Sequence, residues 1–165
     1  MQSENRMKFS DKKMLFVFIF ICLSVEVMSW YFTHTSVRDW YPRLIKPSWT
    51  PPSWVFGPVW TLLYLMMATS AWLIWKEVDG SKQSLVPYLL FSLQLLLNLL
   101  WSALFFVLKS PFLALVDITA LWGMILATIL AFFPLSWKAA LLLLPYLLWV
   151  TYALALNFSI WWLNV

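Results

Sequence analysis

The sequence predicts an all-α membrane protein, a bundle of five transmembrane helices with a proline- and tryptophan-rich lid loop between helices 1 and 2. Three observations lead there. The 165 residues are 63% hydrophobic and 11% charged, with a mean hydropathy of +0.81, which excludes a soluble domain of ordinary make-up. Apolar runs of about 20 residues, the length that crosses a bilayer, recur between short polar breaks. Between the first two runs, prolines and tryptophans alternate in a stretch that suits neither a helix nor a lipid-exposed coil. Residues 1–165 read as a single membrane domain without a separate soluble module.

Residues 1–13 are polar, with Arg6, Lys8, Lys12 and Lys13 against Glu4 and Asp11. The first span covers about 14–32. A basic start before an apolar run imitates a secretory signal, but Met28-Ser29-Trp30-Tyr31 is too bulky for a cleavage site, so an uncleaved helix is expected. Cys22 is the one cysteine, which excludes a disulfide framework or a cysteine metal site within one chain. Glu26 reads either as an interfacial carboxylate near the helix end or as a group touching ligand or a partner helix. His34, the one histidine, belongs to the interfacial belt with Trp30 and Tyr31. It lacks the neighbouring ligands that a metal or haem site would use, and no metal is expected.

The lid covers about 35–53. Pro42, Pro47, Pro51 and Pro52 each fix φ, lack an N–H and push the preceding residue away from helix. Trp40 to Ser53 is therefore not a regular helix. Yet Trp40, Tyr41, Leu44, Ile45 and Trp49 are too apolar to leave in water. The solution is a loop folded onto protein at the membrane surface, with its rings inserted into what lies beneath.

The second span covers about 54–75, with Pro58 in its first turn, where proline is tolerated. Trp60, Tyr64 and Met67 share one face at i, i+4 and i+7, either as ordinary packing or as a pocket wall. Lys76 to Ser84, with Asp79-Gly80, reads as a polar turn. The third span, about 85–108, lines up Gln94, Asn98, Trp101 and Phe105. Two carboxamides in an apolar helix require partners, supplied by other helices or by ligand. The fourth span, about 111–133, carries the acid Asp117, whose default is structural pairing or protonation. The fifth, about 139–162, places Trp149, Ala153 and Asn157 at successive i+4 steps, with Tyr146 a turn before. The small Ala153 between a ring and a carboxamide leaves room for something planar or for a close helix neighbour.

The lid and its surroundings resemble the signature of the TspO/MBR family, the tryptophan-rich sensory and translocator proteins. The residues that carry the resemblance are Trp40-Tyr41, Lys46-Pro47-Ser48-Trp49, Pro51-Pro52, Gly57, Val59-Trp60, Leu63-Tyr64 and, further on, Gln94 to Asn98, Trp101, Phe105-Phe106, Pro145-Tyr146-Leu147, Trp149 and Asn157. They span about residues 40–164. The chain departs from the family pattern in two places. Ala68 and Ser70 stand where glycines are frequent, which bears on a small-residue contact in a homodimer. No Lys or Arg follows Tyr152, so the terminal sterol-type pattern of mammalian members is missing. Val37, Tyr41 and Arg43 fit that loose pattern only in the lid.

The resemblance implies a protein that binds porphyrins (protoporphyrin IX or haem) or related flat hydrophobic ligands, in a sensing, transport or scavenging role, with no cofactor required. The residue types suit such a ligand: rings for stacking, Gln94 and Asn98 for orientation, Arg43 and Lys46 to meet carboxylates. The candidate ligand set is Tyr41, Arg43, Lys46, Trp49, Pro51, Trp60, Tyr64, Gln94, Asn98, Trp101, Phe105, Tyr146, Trp149, Ala153 and Asn157. A second reading, light-dependent protoporphyrin degradation, makes Trp60 and Trp149 candidate catalytic residues by family position. A third is a ligand-free scaffold or regulator acting through helix contacts. Phosphate-binding loops, metal clusters and nucleophile–histidine pairs are not recognisable, and five spans cannot form two equal inverted halves. The expected partners are the lipid bilayer, a hydrophobic small molecule and a second copy of the chain; a net charge of +4 reflects membrane flanks rather than nucleic-acid binding. The expected location is a bacterial cell membrane with a cytoplasmic N-terminus. Seven basic residues (Arg6, Lys8, Lys12, Lys13, Lys76, Lys82, Lys138) fall on that side, against four (Arg38, Arg43, Lys46, Lys109) on the other.

Overall fold

A computed structural model describes residues 2–77 and 85–165, with side chains from residue 11 onward. The helices are α1 (Gln2–Thr33), α2 (Ser36–Asp39), α3 (Ser53–Glu77), α4 (Val86–Ser102), α5 (Pro111–Phe132), α6 (Trp137–Leu142) and α7 (Leu144–Leu163). Five segments are long and apolar enough to cross a membrane: Asp11–Thr33, Ser53–Glu77, Val86–Val107, Pro111–Phe132 and Trp137–Leu163. The described residues contain no strand. The expected turn at residues 78–84, including Asp79-Gly80 and the basic residue Lys82, lies outside the described residues, as do the side chains of Arg6 and Lys8.

Proline explains most departures from the expected boundaries. α3 starts directly after Pro51-Pro52, so Pro58 falls in its second turn rather than its first. The fifth crossing breaks at Leu143, because Pro145 has no N–H to give to Leu141 O. Leu143 N–H turns to Ala140 O in a tighter i−3 bond, and the buried Ser70 Oγ of α3 donates to Ala139 O at 2.7 Å. That bond fastens α3 to α6. Ala68 and Ser70 are both fully buried inside the chain, so neither presents a small-residue face to a second copy.

The third crossing ends in a wide π-helical turn, Ala103–Val107, and Lys109 follows with φ 51°. Ser110 Oγ then caps α5 by accepting from Leu113 N–H.

The helices close a ring. α1 lies beside α3 and α4, α4 beside α5, α5 beside α7, and α3 returns to α6. One buried cluster runs through the bundle, with Cys22, Met67, Ile118, Leu121, Ile125 and Tyr146 among its members. A smaller one, built on Phe105, Phe106, Ala114, Leu156 and Ile160, lies under the lid and receives Val37, Trp40, Tyr41 and Leu44. The lid holds α2 and one 3-10 turn, Tyr41–Arg43, and is otherwise irregular.

Candidate functional site

The lid's rings enter the floor beneath them. Trp40 meets Phe105 edge-on at 5.4 Å, and Tyr41 sits 6.3 Å from Phe105 and 6.1 Å from Phe106. Burial pushes the Tyr41 phenol above its ordinary pKa, and the neighbouring Tyr152 adds to the shift. Lys46 does not point outward. Its Nζ donates to Tyr41 O and Leu44 O, each at 2.9 Å, and lies 4.9 Å from the Tyr41 ring centroid. Arg43, by contrast, is exposed.

Below the lid, the carboxamides join helices. Tyr64 Oη donates to Asn98 Oδ1 at 2.5 Å, and Asn98 Nδ2 donates to Tyr146 Oη at 3.0 Å, so α3, α4 and α7 meet at one amide. Asn157 accepts the Trp101 indole N–H at 2.9 Å and donates to Pro111 O at 2.8 Å. Such bonds are worth about 0.6–2 kcal/mol each inside a membrane. Gln94 differs. Its Nε2 reaches only Met67 Sδ at 4.0 Å, and its buried Oε1 has no partner. Trp60 lies against Tyr64 and Tyr146, with centroids at 5.7 and 6.1 Å. Phe105 stacks on Trp101 at 5.2 Å.

An open space lies to one side of this network. A cleft of about 470 Å³ separates α3 from α7, walled by Val59, Leu63 and Met66 on one side and Leu148, Trp149 and Tyr152 on the other, with Pro51 of the lid above. Its surface is almost wholly apolar. The Trp149 indole N–H, buried in that wall, has no hydrogen-bond partner. Trp149 stacks on Tyr152 at 5.8 Å, and Tyr152 in turn meets Trp49 edge-on at 5.4 Å.

The family model described as TspO/MBR matches residues 18–163. The chain belongs to the TspO/MBR family. The tryptophan-rich protein TspO of Chlorobaculum tepidum is 46% identical over 148 residues, 87% of this chain and 91% of its own length. The human translocator protein is 42% identical over 131 residues, 79% of this chain and 78% of its own. The tryptophan-rich sensory protein of Cereibacter sphaeroides is 41% identical over 126 residues, 76% and 77% of the two chains. With five spanning segments, this TspO/MBR member is an integral, multi-pass membrane protein in a lipid bilayer.

Within this TspO/MBR bundle the candidate residues fall into three groups. Pro51 and Trp149 line the cleft. Tyr64, Asn98, Trp101, Tyr146 and Asn157 are engaged in cross-helix bonds, while Trp60, Gln94, Phe105 and Ala153 pack around them. Tyr41, Arg43, Lys46 and Trp49 belong to the lid. Sequence reasoning missed Tyr152, whose Oη donates to Trp49 O at 2.8 Å, although its place three residues after Trp149 puts both on one helix face. It also missed Asn164. Among the described residues no group of three or more His, Cys, Asp or Glu gathers as a metal site. His34 stacks on Trp30 at 5.1 Å, with Nδ1 2.7 Å from Tyr31 O, and the Glu26 carboxylate accepts a hydrogen bond from Thr61 of α3. Asp117 is buried, with Oδ2 unpartnered.

Proposed function

We propose that this membrane protein binds protoporphyrin-type and related flat hydrophobic ligands in the cleft between α3 and α7. The observation that carries the reading is the cleft itself, with the stacked Trp149–Tyr152 pair in its wall. Its volume lies within the range of about 300–1,000 Å³ usual for small-molecule sites, and its lining suits a ligand that is apolar on both faces. The Trp149 indole nitrogen is itself buried, so what Trp149 offers a ligand in the cleft is ring surface. Of the two lid cations expected to meet a ligand carboxylate, Lys46 spends its charge on the lid's own carbonyls, which leaves the exposed Arg43. Sensing, transport and scavenging all begin with this binding step.

Titration of the purified protein with protoporphyrin IX, read by quenching of tryptophan fluorescence, tests the reading. Saturable binding is expected, weakened about tenfold or more in Trp149→Ala, since losing a stacked ring costs about 1.4 kcal/mol. Unsaturable quenching, or unchanged affinity in Trp149→Ala, overturns it. The position of Trp149 in the cleft wall also favours a second reading, light-driven oxidation of the bound porphyrin by dissolved oxygen, which the excited porphyrin activates and which is reduced in the step, with this oxidisable indole carrying a radical or trapping oxygen beside it.

A further inference from the structure

We infer that the ligand reaches its site sideways from the hydrocarbon of the bilayer, through the cleft between α3 and α7, and that the lid is a fixed cover rather than a door. This rests on the binding reading above. Two independent observations carry it.

The first is how the lid is fastened. Ser36 Oγ, buried, donates to Phe106 O at 2.6 Å and ties the start of the lid to the end of the third crossing. Tyr152 Oη holds Trp49 O at 2.8 Å. Asn164, past the end of α7, bonds both the N–H and the C=O of Ile45, at 3.0 and 2.9 Å. Lys46 gathers the carbonyls of Tyr41, at the start of the 3-10 turn, and of Leu44, just past its end. Trp40 and Tyr41 are seated among Phe105 and Phe106. Lifting the lid breaks all of these together and exposes rings to water.

The second is how α3 meets the fifth crossing. α3 packs along α6, where Ser70 fastens it, and only touches α7. Beyond the break at Leu143, α3 and α7 meet through the ring pairs Trp60–Tyr146 and Phe56–Trp149, and the cleft opens beside them. Leu62 and Leu148, on opposite sides of its mouth, are 60% and 69% exposed and therefore face lipid. No hydrogen bond joins α3 to α7 across the cleft walls among the described residues, so a flat apolar molecule dissolved in the bilayer meets no polar barrier there. It arrives directly against Trp149. A ligand coming from water would have to open the lid, although such ligands partition into the hydrocarbon beforehand.

Association kinetics of protoporphyrin IX with the protein in lipid nanodiscs test the route, read by stopped-flow quenching of tryptophan fluorescence. Leu148→Trp and Met66→Trp narrow the mouth from opposite walls. Leu148 is largely exposed, so the added ring disturbs folding little. In both variants association is expected to slow by about tenfold; both residues line the cleft itself, so the association rate rather than Kd is the readout of the route. Asn164→Ala, which removes the lid's bonds to the end of α7, is expected to leave the association rate as it is. An unchanged association rate in both narrowed variants, or faster association in Asn164→Ala, overturns the lateral route while leaving the binding reading intact. Absence of binding to the unsubstituted protein overturns both.

Discussion

Asn164 brackets the backbone of Ile45: its Oδ1 accepts the Ile45 N–H at 3.0 Å and its Nδ2 donates to Ile45 O at 2.9 Å. A side-chain amide here plays the part of a neighbouring strand, and it joins the lid to the far end of the chain. The same Nδ2 donates to Ile160 O at 2.7 Å, which holds the carboxamide in place on the last turn of α7.

Asn164→Ala removes both bonds to the lid. Amide exchange at Ile45 is expected to quicken by roughly tenfold, the equivalent of one or two ordinary hydrogen bonds. Asn164→Asp keeps the acceptor and loses the donor, so an intermediate rate is expected. Hydrogen–deuterium exchange over residues 41–50 checks both.

Lys46 is expected to behave as a lid-positioning residue. Lys46→Met removes charge-assisted bonds to Tyr41 O and Leu44 O, each worth about 1.5–3 kcal/mol. Limited proteolysis within the lid should accelerate by tenfold or more. Lys46→Arg should fail to restore resistance, because a planar fork cannot converge on carbonyls grouped around a point charge. Rescue by arginine would contradict this role.

Asn98→Leu should destabilise the bundle by about 2–5 kcal/mol, because it leaves the buried Tyr64 and Tyr146 hydroxyls without partners. The triple variant Tyr64→Phe, Asn98→Leu, Tyr146→Phe removes the orphaned groups as well and should recover much of the loss. Thermal unfolding in detergent, with the single and triple variants side by side, measures the difference.

If bound porphyrin is oxidised in light, the two candidate tryptophans should separate. Trp149 lines the cleft and Trp60 does not. Trp149→Phe keeps a ring but is harder to oxidise, so it should retain measurable binding and lose any defined photoproduct. Trp60→Phe should retain both. Product analysis after illumination, with free porphyrin as reference, decides; products identical to those of free porphyrin would remove the enzymatic reading.

The architecture was legible because hydropathy and proline both act locally. Five apolar runs and the prolines of the lid required neighbours of no particular kind, only a bilayer and a protein floor. The site was less legible. Asn98 and Asn157 stood out as amides in apolar helices, but whether an amide serves a helix or a ligand depends on which hydroxyl or indole arrives opposite, as Tyr64, Tyr146 and Trp101 do. Lys46 looked like an anion partner until the turn Tyr41–Arg43 brought its own carbonyls within reach. Asn164 gave no signal at all, since its partner Ile45 is 119 residues away.

The wide turn at Ala103–Val107 has a geometric consequence. In a regular α-helix, consecutive side chains diverge by about 100°, so two adjacent rings splay apart across the buried face. Phe105 and Phe106 are adjacent and both buried, at 2% and 8% exposure. The larger number of residues per turn narrows their divergence and brings the two rings edge to face, 4.9 Å apart, beneath the lid. The lid thus stands on a doublet of rings, one under Trp40 and the other under Tyr41. A single-residue deletion between Ala103 and Val107 would restore an even spiral and keep the membrane crossing, yet swing one ring of the doublet away and halve the lid's footing.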